Sequence, residues 1–399
     1  MLILWDGLLP HVDENEYFCL CPCPILPAPK ALMKVQVRFI PKDKSLFFPT
    51  LKKRVEDYFK ENNISRHANA QMVIKSIVLL TGYLLPLVLM MTLELSFGAC
   101  LGLWALIGVC HAGIGMSVMH DANHGAYSSN EKVNKMMGHT LNLLGGAVFN
   151  WKLQHNIMHH TYTNITHMDD DIEDKLIMRF SPHTELKKHH RGQFIFAFFF
   201  YGITTLYWVV LKDFAQYVRY TANGVNNNKK EQNRKLLFRI IVQKIFYFSL
   251  FLALPAILGI PFWQVLVGFL LKHFISGVIL TVIFQLAHTV EGTSHPMPNE
   301  HGVIENDWAI HQMNRTVNFA RHNKILSWYV GGLNFQVEHH LFTRICHVHY
   351  PAIAHITKAT AEEFGVPYLE NKSFGDALRS HIRALKRFGR QASLNGAIG

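Results

Sequence analysis

The sequence predicts an all-α integral membrane protein: four transmembrane helices in two hairpins, with interfacial helices and a polar helical cap. Three observations lead there. Of the 399 residues 49% are hydrophobic and only 17% are charged, against about a quarter charged in a typical soluble domain. The apolar residues collect in long blocks. The segments flanking those blocks carry most of the Lys and Arg.

Five blocks are long enough to consider, Met72–Leu93, Phe97–Met119, Phe194–Leu211, Ile240–Leu258 and Trp263–Ala287, since a span needs about 20 residues at roughly 1.5 Å each. The first two are joined only by Glu94-Leu95-Ser96 and the last two by Gly259-Ile260-Pro261-Phe262, so each pair is a hairpin. Both short turns lack Lys and Arg, which places them outside and the polar segments, both termini included, in the cytoplasm. The middle block must then stay on one side. If it crossed, residues 120–193 and everything after Ala287 would face opposite compartments. Tyr201, Tyr207, Trp208 and the terminal Lys212-Asp213 suit an interfacial helix. The spans are therefore expected at about 72–93, 97–119, 240–258 and 263–287. Near Ser373–Phe388 a last helix sets Phe374, Ala377, Leu378, Ile382 and Leu385 on one stripe, flanked by Arg379, Arg383, Lys386 and Arg387, and is expected to pack on its own domain.

A net charge of +11 raises the question of a nucleic-acid partner. The cations between Lys30 and Arg66 flank apolar blocks instead, which reads as membrane topology and lipid headgroup contact. Cys100 and Cys110 fall inside apolar blocks, Cys346 is alone, and Cys19, Cys21 and Cys23 are spaced too tightly for zinc, so the cysteines are read as free thiols. Residues 1–32 are Pro- and Cys-rich and lack the basic start of a signal peptide. They are read as a disordered or mis-assigned extension, with Met33 as the start of one domain over 33–399.

The 25 histidines carry the chemistry. His120 and His124 end the second span four residues apart, on one helical face. His155, His159 and His160 repeat that spacing with a neighbour, His288 ends the last span, and His339 and His340 stand side by side, suited to serving two metals. A lone pair at this spacing is more often coincidence than a metal site. Three clusters at span ends in cytoplasmic segments are harder to dismiss. Eight imidazoles (His120, His124, His155, His159, His160, His288, His339 and His340) are too many for one ion and fit two with open positions. Imidazole suits Fe, Zn and Cu, and iron fits a lipid-facing redox site best. Gln336 is a candidate weak ligand or partner of an iron-bound water. Asp121, Glu338 and the run Asp169-Asp170-Asp171 are candidates to orient the rings, with a solvated acidic loop the equal alternative for the run. No catalytic side chain apart from the ligands is expected. His111, about 13 Å along the helix from His120, reads as a hydrogen-bonded core histidine. Lys272 and His273 are expected to pair in the interior or to snorkel, and Lys187-Lys188-His189-His190-Arg191 to face headgroups or CoA phosphates. His311 with Gln312, like His347 and His349, ranks low as an outer-sphere candidate.

The boxes His120–His124, His155–His160 and Gln336–His340 resemble those of the membrane fatty-acid desaturases, and glutamine heading the third box resembles the front-end branch. That branch adds a double bond between an existing one and the carboxyl end. Gln285-Leu286-Ala287-His288, Gly331-Gly332-Leu333-Asn334-Phe335 and His340-Leu341-Phe342 are similar too, and the likeness runs from about Phe39 to Phe388. The resemblance implies a four-span fold with a di-iron centre in the cap, dioxygen as co-substrate and an acyl-CoA or acyl-lipid substrate. Two departures stand out. No His-Pro-Gly-Gly signature of a fused b-type cytochrome occurs, which implies a separate donor such as a cytochrome or ferredoxin, and Thr343 replaces the usual proline. A hydroxylase on the same scaffold is the nearest alternative. A histidine-rich metal transporter is the alternative from another class, disfavoured because transporter ligands gather near the bilayer midplane.

Overall fold

The computed structural model describes residues 37–41, 45–172 and 177–394. The expectations for residues 1–32, for Met33 as a start and for Cys19, Cys21 and Cys23 lie outside the described residues.

Helix α1 (Phe47–Glu61) buries Phe47, Leu51 and Val55, four residues apart, in a cluster with Phe335, Tyr350, Ile353 and Ala354. Helix α2 (Ala70–Thr92) starts where the Asn69 side chain accepts from Met72 N at 3.2 Å, satisfying one of the free amides of a helix start. Its buried face is Met72, Leu79, Tyr83 and Leu87, while Val73, Ile74, Ile77 and Val78 are exposed. An apolar outer surface of this kind suits lipid. Ser96 caps α3 (Phe97–Asn123) through Ala99 N at 3.3 Å, so the tight hairpin turn also starts its second helix. Next come α4 (Glu131–Gly138) and α5 (148–162), the latter wound with wide i→i+5 turns over Lys152–His159.

Helices α6 (Lys188–Ala222), α7 (Lys230–Ile257) and α8 (Phe262–His288) follow. With α2 and α3 they make five helices long and apolar enough to cross a membrane, so length and composition alone do not set α6 apart as its sequence suggested. Its contacts do distinguish it. At its start Gln193 Nε2 donates to Arg179 O and Leu385 O, both at 2.9 Å. At its far end Gln216 donates to Gln154, while Arg219 and Tyr220 bond Asp170. Both ends of α6 therefore meet the polar segment that carries the second histidine box. Between them it runs along α8, with Thr205 Oγ1 donating to His273 O at 2.8 Å. Helices α3 and α8 approach so closely that a Cβ on Gly108 would stand 2.7 Å from Lys272 O.

The remaining polar chain forms the helices α9 (Trp308–Met313), α10 (Gln336–Leu341), α11 (Tyr350–Glu363) and α12 (Phe374–Phe388). The all-α expectation misses two short parallel ladders that pin distant segments together. Strand β1 (Arg38–Phe39) pairs with β2 (Val303–Ile304), and β3 (Asn318–Phe319) pairs with β4 (Glu370–Asn371). Helix α12 packs inward as its stripe indicates, burying Ala377, His381, Ala384, Leu385 and Phe388. Deep between the long helices, Lys272 Nζ bonds Tyr247 OH at 2.6 Å and Tyr83 OH at 3.2 Å, and His273 Nε2 reaches Tyr247 OH at 2.8 Å. This is the interior pairing the sequence suggested. His111 is buried with its ring edge-on to Tyr83, but its Nδ1 has no hydrogen-bond partner among the described residues.

The turn before α10 depends on glycine. Gly331 has φ +62°, and a Cβ there would run into Met116 O in α3. Left-handed backbone costs a side-chain-bearing residue roughly 1–2 kcal/mol before any clash. Gly331→Ala is expected to lower the thermal unfolding midpoint in detergent by several degrees. Gly98→Ala, where nothing lies within 4 Å of the added carbon, is expected to leave it in place; equal midpoints would contradict this reading.

Candidate metal centre

All eight histidines singled out in the sequence are buried and lie in one contiguous cluster. The ligand nitrogens of His120, His124, His155 and His339 fall within 4.8 Å of one another, and so do those of His159, His288 and His340. His160 forms a third such group with His339 and His340, and so sits between the other two. His339 joins the first group and His340 the second, as their adjacency suggests. His120 and His124 stay together on one helical face.

The same spacing in α5 behaves differently. Four residues slightly exceed one α-helical turn of 3.6 residues, and they fall short of one where the winding is i→i+5. His155 therefore turns toward His120, at 3.2 Å between Nε2 atoms, while His159 turns toward His288, with ring centroids 4.7 Å apart. His155 and His159 thus fall in different imidazole groups, although they also form a group of their own with Asp171, their rings stacked 5.2 Å apart.

Ring orientation comes from outside the cluster. Asp171 Oδ2 accepts from His155 Nδ1 at 2.8 Å, and Asp169 Oδ2 from His159 Nδ1 at 2.9 Å. Tyr350 OH lies 3.2 Å from His339 Nδ1, and Gln312 Oε1 accepts from His340 Nδ1 at 2.9 Å. With the Nδ1 proton engaged outward, Nε2 is the lone-pair nitrogen and points inward. The Nε2 atoms of His124, His159, His339 and His340 are buried without a hydrogen-bond partner among the described residues. Unpartnered inward nitrogens are what a metal site leaves when it is described without its ion, so the donor set fits a metal.

Charge favours the neutral, ligating form. Burial, together with neighbouring imidazoles, holds His160, His339 and His340 well below the usual histidine range, and burial pushes His155 down to about 4 against the pull of Asp171. His159 differs. Although burial lowers it, the carboxylate of Asp169 raises it above its ordinary value.

The other candidates have varied positions. The Gln336 amide nitrogen lies 2.8 Å from His288 Nε2, at the rim of the second group. Asp121 Oδ2 accepts from His347 N at 3.1 Å and Nδ1 at 2.7 Å, and His347 Nε2 meets Lys75 Nζ at 2.7 Å. Asp121 Oδ1 lies 3.7 Å from His120 Nδ1 and pairs with it electrostatically. It also ties the chain after the third box to α3. Glu338 accepts from Asn318 Nδ2 at 2.7 Å and Tyr368 OH at 2.9 Å, away from the imidazoles. Burial pushes it up to about 7. Among the Asp run, Asp169 and Asp171 hold rings and Asp170 anchors α6. Gln312, ranked low in the sequence as an outer-sphere candidate, holds a ring; sequence reasoning missed Tyr350, which no periodicity ties to the boxes, and Thr163, whose Oγ1 stands 3.3 Å from His340 Nδ1.

A sequence model of the fatty acid desaturase family matches residues 96–372, across all three boxes. The chain belongs to the fatty acid desaturase family. This desaturase is 33% identical to the sn-1 linoleoyl-lipid 6-desaturase of Synechocystis, over 86% of its own length and 96% of that protein. It is 34% identical to the protein of the same name from Arthrospira platensis, over 86% and 92%. To the acyl-lipid (8-3)-desaturase of Physcomitrium patens it is also 34% identical, over 86% and 72%.

Removing the Asp171 carboxylate is expected to free the His155 ring. Asp171→Asn should weaken iron(II) retention about 10–100-fold, as such outer partners commonly do, read by metal analysis after dialysis against a chelator. Lys53→Met, which removes an exposed ion pair on α1, should retain iron like the parent. Equal retention by Asp171→Asn would show that the carboxylate does not position the ring.

Proposed function

We propose that this chain is a front-end acyl-lipid desaturase that binds two iron ions among its eight clustered imidazoles. The observation that carries this reading is the division of inward-facing, unpartnered Nε2 atoms into two neighbouring groups in a chain of the desaturase family. His120, His124, His155 and His339 would hold one ion and His159, His288 and His340 the other, with His160 between them and Gln336 at the rim of the second. Bound iron supplies the oxidising power, drawn from dioxygen, to break an unactivated C–H bond. The reaction balances as a –CH2–CH2– unit plus O2, two electrons and two protons giving –CH=CH– and two waters.

The chain's own residues do the rest. Asp169, Asp171, Tyr350 and Gln312 fix the rings, and the buried surroundings exclude bulk water. The two electrons would come from a separate carrier such as a cytochrome or ferredoxin. Substrates are acyl lipids, in line with the names of the relatives. Residues 33–399 form one catalytic domain, with 1–32 outside it.

Parity supports a four-span topology. The C-terminal ends of α3 and α8 both reach the histidine cluster, and three long helices lie between those ends. An even number of them must cross. Helix α6 is the one that does not, since both its ends touch the segment holding the second box. The lysines and arginines flanking the spans support a cytoplasmic location for this face and both termini.

Fatty-acid profiling of a host fed polyunsaturated precursors tests the activity. The expected product is two mass units lighter, with a new cis bond between an existing one and the carboxyl end. A gain of sixteen mass units, or a new bond on the methyl side, would overturn the assignment. His124→Ala, missing one of the unpartnered nitrogens, is expected to lose at least about a hundredfold of the product.

A further inference from the structure

A buried cation with no carboxylate bonded to it among the described residues lies beside the second histidine group. Arg315 is 8% exposed, and its hydrogen bonds go to Ser294 Oγ and, at 3.1 Å, to Asn314 O. Its Nε has no partner, and no carboxylate bonds it among the described residues. Burial lowers its pKa only to about 10, so the guanidinium stays charged at neutral pH. Burying an uncompensated charge is strongly unfavourable. The site therefore calls for an anion.

Among the described residues the surroundings of His295 add donors. His295, next in the chain to Ser294, is 9% exposed with Nε2 unpartnered. His183 Nε2 reaches His295 O at 2.8 Å. Besides burial, the groups that depress His295, to about 3, are all cationic or basic: Arg315, Arg387 and His183. Arg387 stands exposed at the rim, on α12.

Two short links tie this place to the candidate metal centre. Arg315 N donates to Gln312 O at 3.0 Å, and the Gln312 side chain holds His340. The Arg315 backbone also lies against the His288 ring, and Val317 N donates to Ala287 O at 2.9 Å.

We propose that Arg315 and His295 form a phosphate-binding site that seats the headgroup phosphate of a phosphoglycerolipid substrate. The proposal rests on the acyl-lipid reading above and narrows its substrate class. An ester-linked acyl chain carries no free carboxylate, so phosphate is the oxyanion such a lipid offers. A double bond placed on the carboxyl side of an existing one lies only a short run of bonds from the glycerol. Holding the phosphate beside His288 thus fixes which methylenes reach the imidazole cluster. A guanidinium fork matches phosphate oxygens in geometry as well as charge.

Titration calorimetry on the full-length, iron-loaded protein in detergent tests this, using four probes: 1-linoleoyl lysophosphatidic acid, 1-linoleoyl glycerol, linoleoyl-CoA and inorganic phosphate. The wild type is expected to bind the lysophosphatidic acid at least tenfold more tightly than the monoacylglycerol. Arg315→Gln should abolish that preference, Arg315→Lys should keep part of it, and His295→Gln should reduce it a few-fold. No preference in the wild type would overturn the proposal, whether or not Arg315→Gln folds. An Arg315-dependent preference for the CoA ester alone would overturn the lipid assignment, and so would binding of inorganic phosphate as tight as that of the lysolipid. Turnover is measured separately on the wild type. Failure to desaturate any lipid would sink the proposed activity while leaving the binding preference to be judged by itself.

Discussion

Every imidazole has two ring nitrogens, and the centre of this protein depends on what the outer one is made to do. Carboxylates at Asp169 and Asp171, the Tyr350 hydroxyl and the Gln312 amide take up the Nδ1 sides of four rings. The opposite nitrogens then face the interior, and three of them, with Nε2 of His124, find no partner among the described residues. At about 1–3 kcal/mol for each unsatisfied buried group, that is roughly 4–12 kcal/mol, comparable to the ~5–15 kcal/mol that holds a typical domain together. Metal binding would offset this cost. On this account metal and fold support each other, and the outer partners matter nearly as much as the ligands.

The long helices exist to bring those rings to one place. Histidines at the ends of α3 and α8 converge because the two helices pack closely along their length, with glycine at the crossing. The third box then reaches α3 through a turn that only glycine fits. Under the proposed topology α6 leaves and returns to a single polar layer, its two ends bonding the segment that carries the second box. Membrane topology and metal geometry are thus one constraint. Moving any one helix across the bilayer would separate the two groups.

Much of this was legible in the sequence. Long apolar blocks with cationic flanks gave the hairpins, and His120 with His124 and the adjacent His339 and His340 announced their roles by spacing alone. The parity of the spans singled out Phe194–Leu211, although its length and apolarity match those of its neighbours. What stayed hidden had physical reasons. The i→i+5 winding that separates His155 from His159 is a departure from regular geometry that residue spacing cannot reveal. Gln312 and Tyr350 act across distances in the chain that carry no periodic signal. Glu338 stands next to ligand candidates in sequence, yet its carboxylate points to Asn318 and Tyr368, so there proximity in the chain misled. Arg315 gave no sign in the sequence. Its isolation from carboxylates exists only once the chain is folded.

The measurement that bears most directly on the central claim is Mössbauer spectroscopy of the wild-type protein reconstituted with iron-57, combined with metal analysis. The account predicts two irons per chain in nitrogen-rich surroundings, coupled magnetically when oxidised. A single iron, two uncoupled irons at sites far apart, or zinc filling the site after purification from iron-replete cells would contradict it.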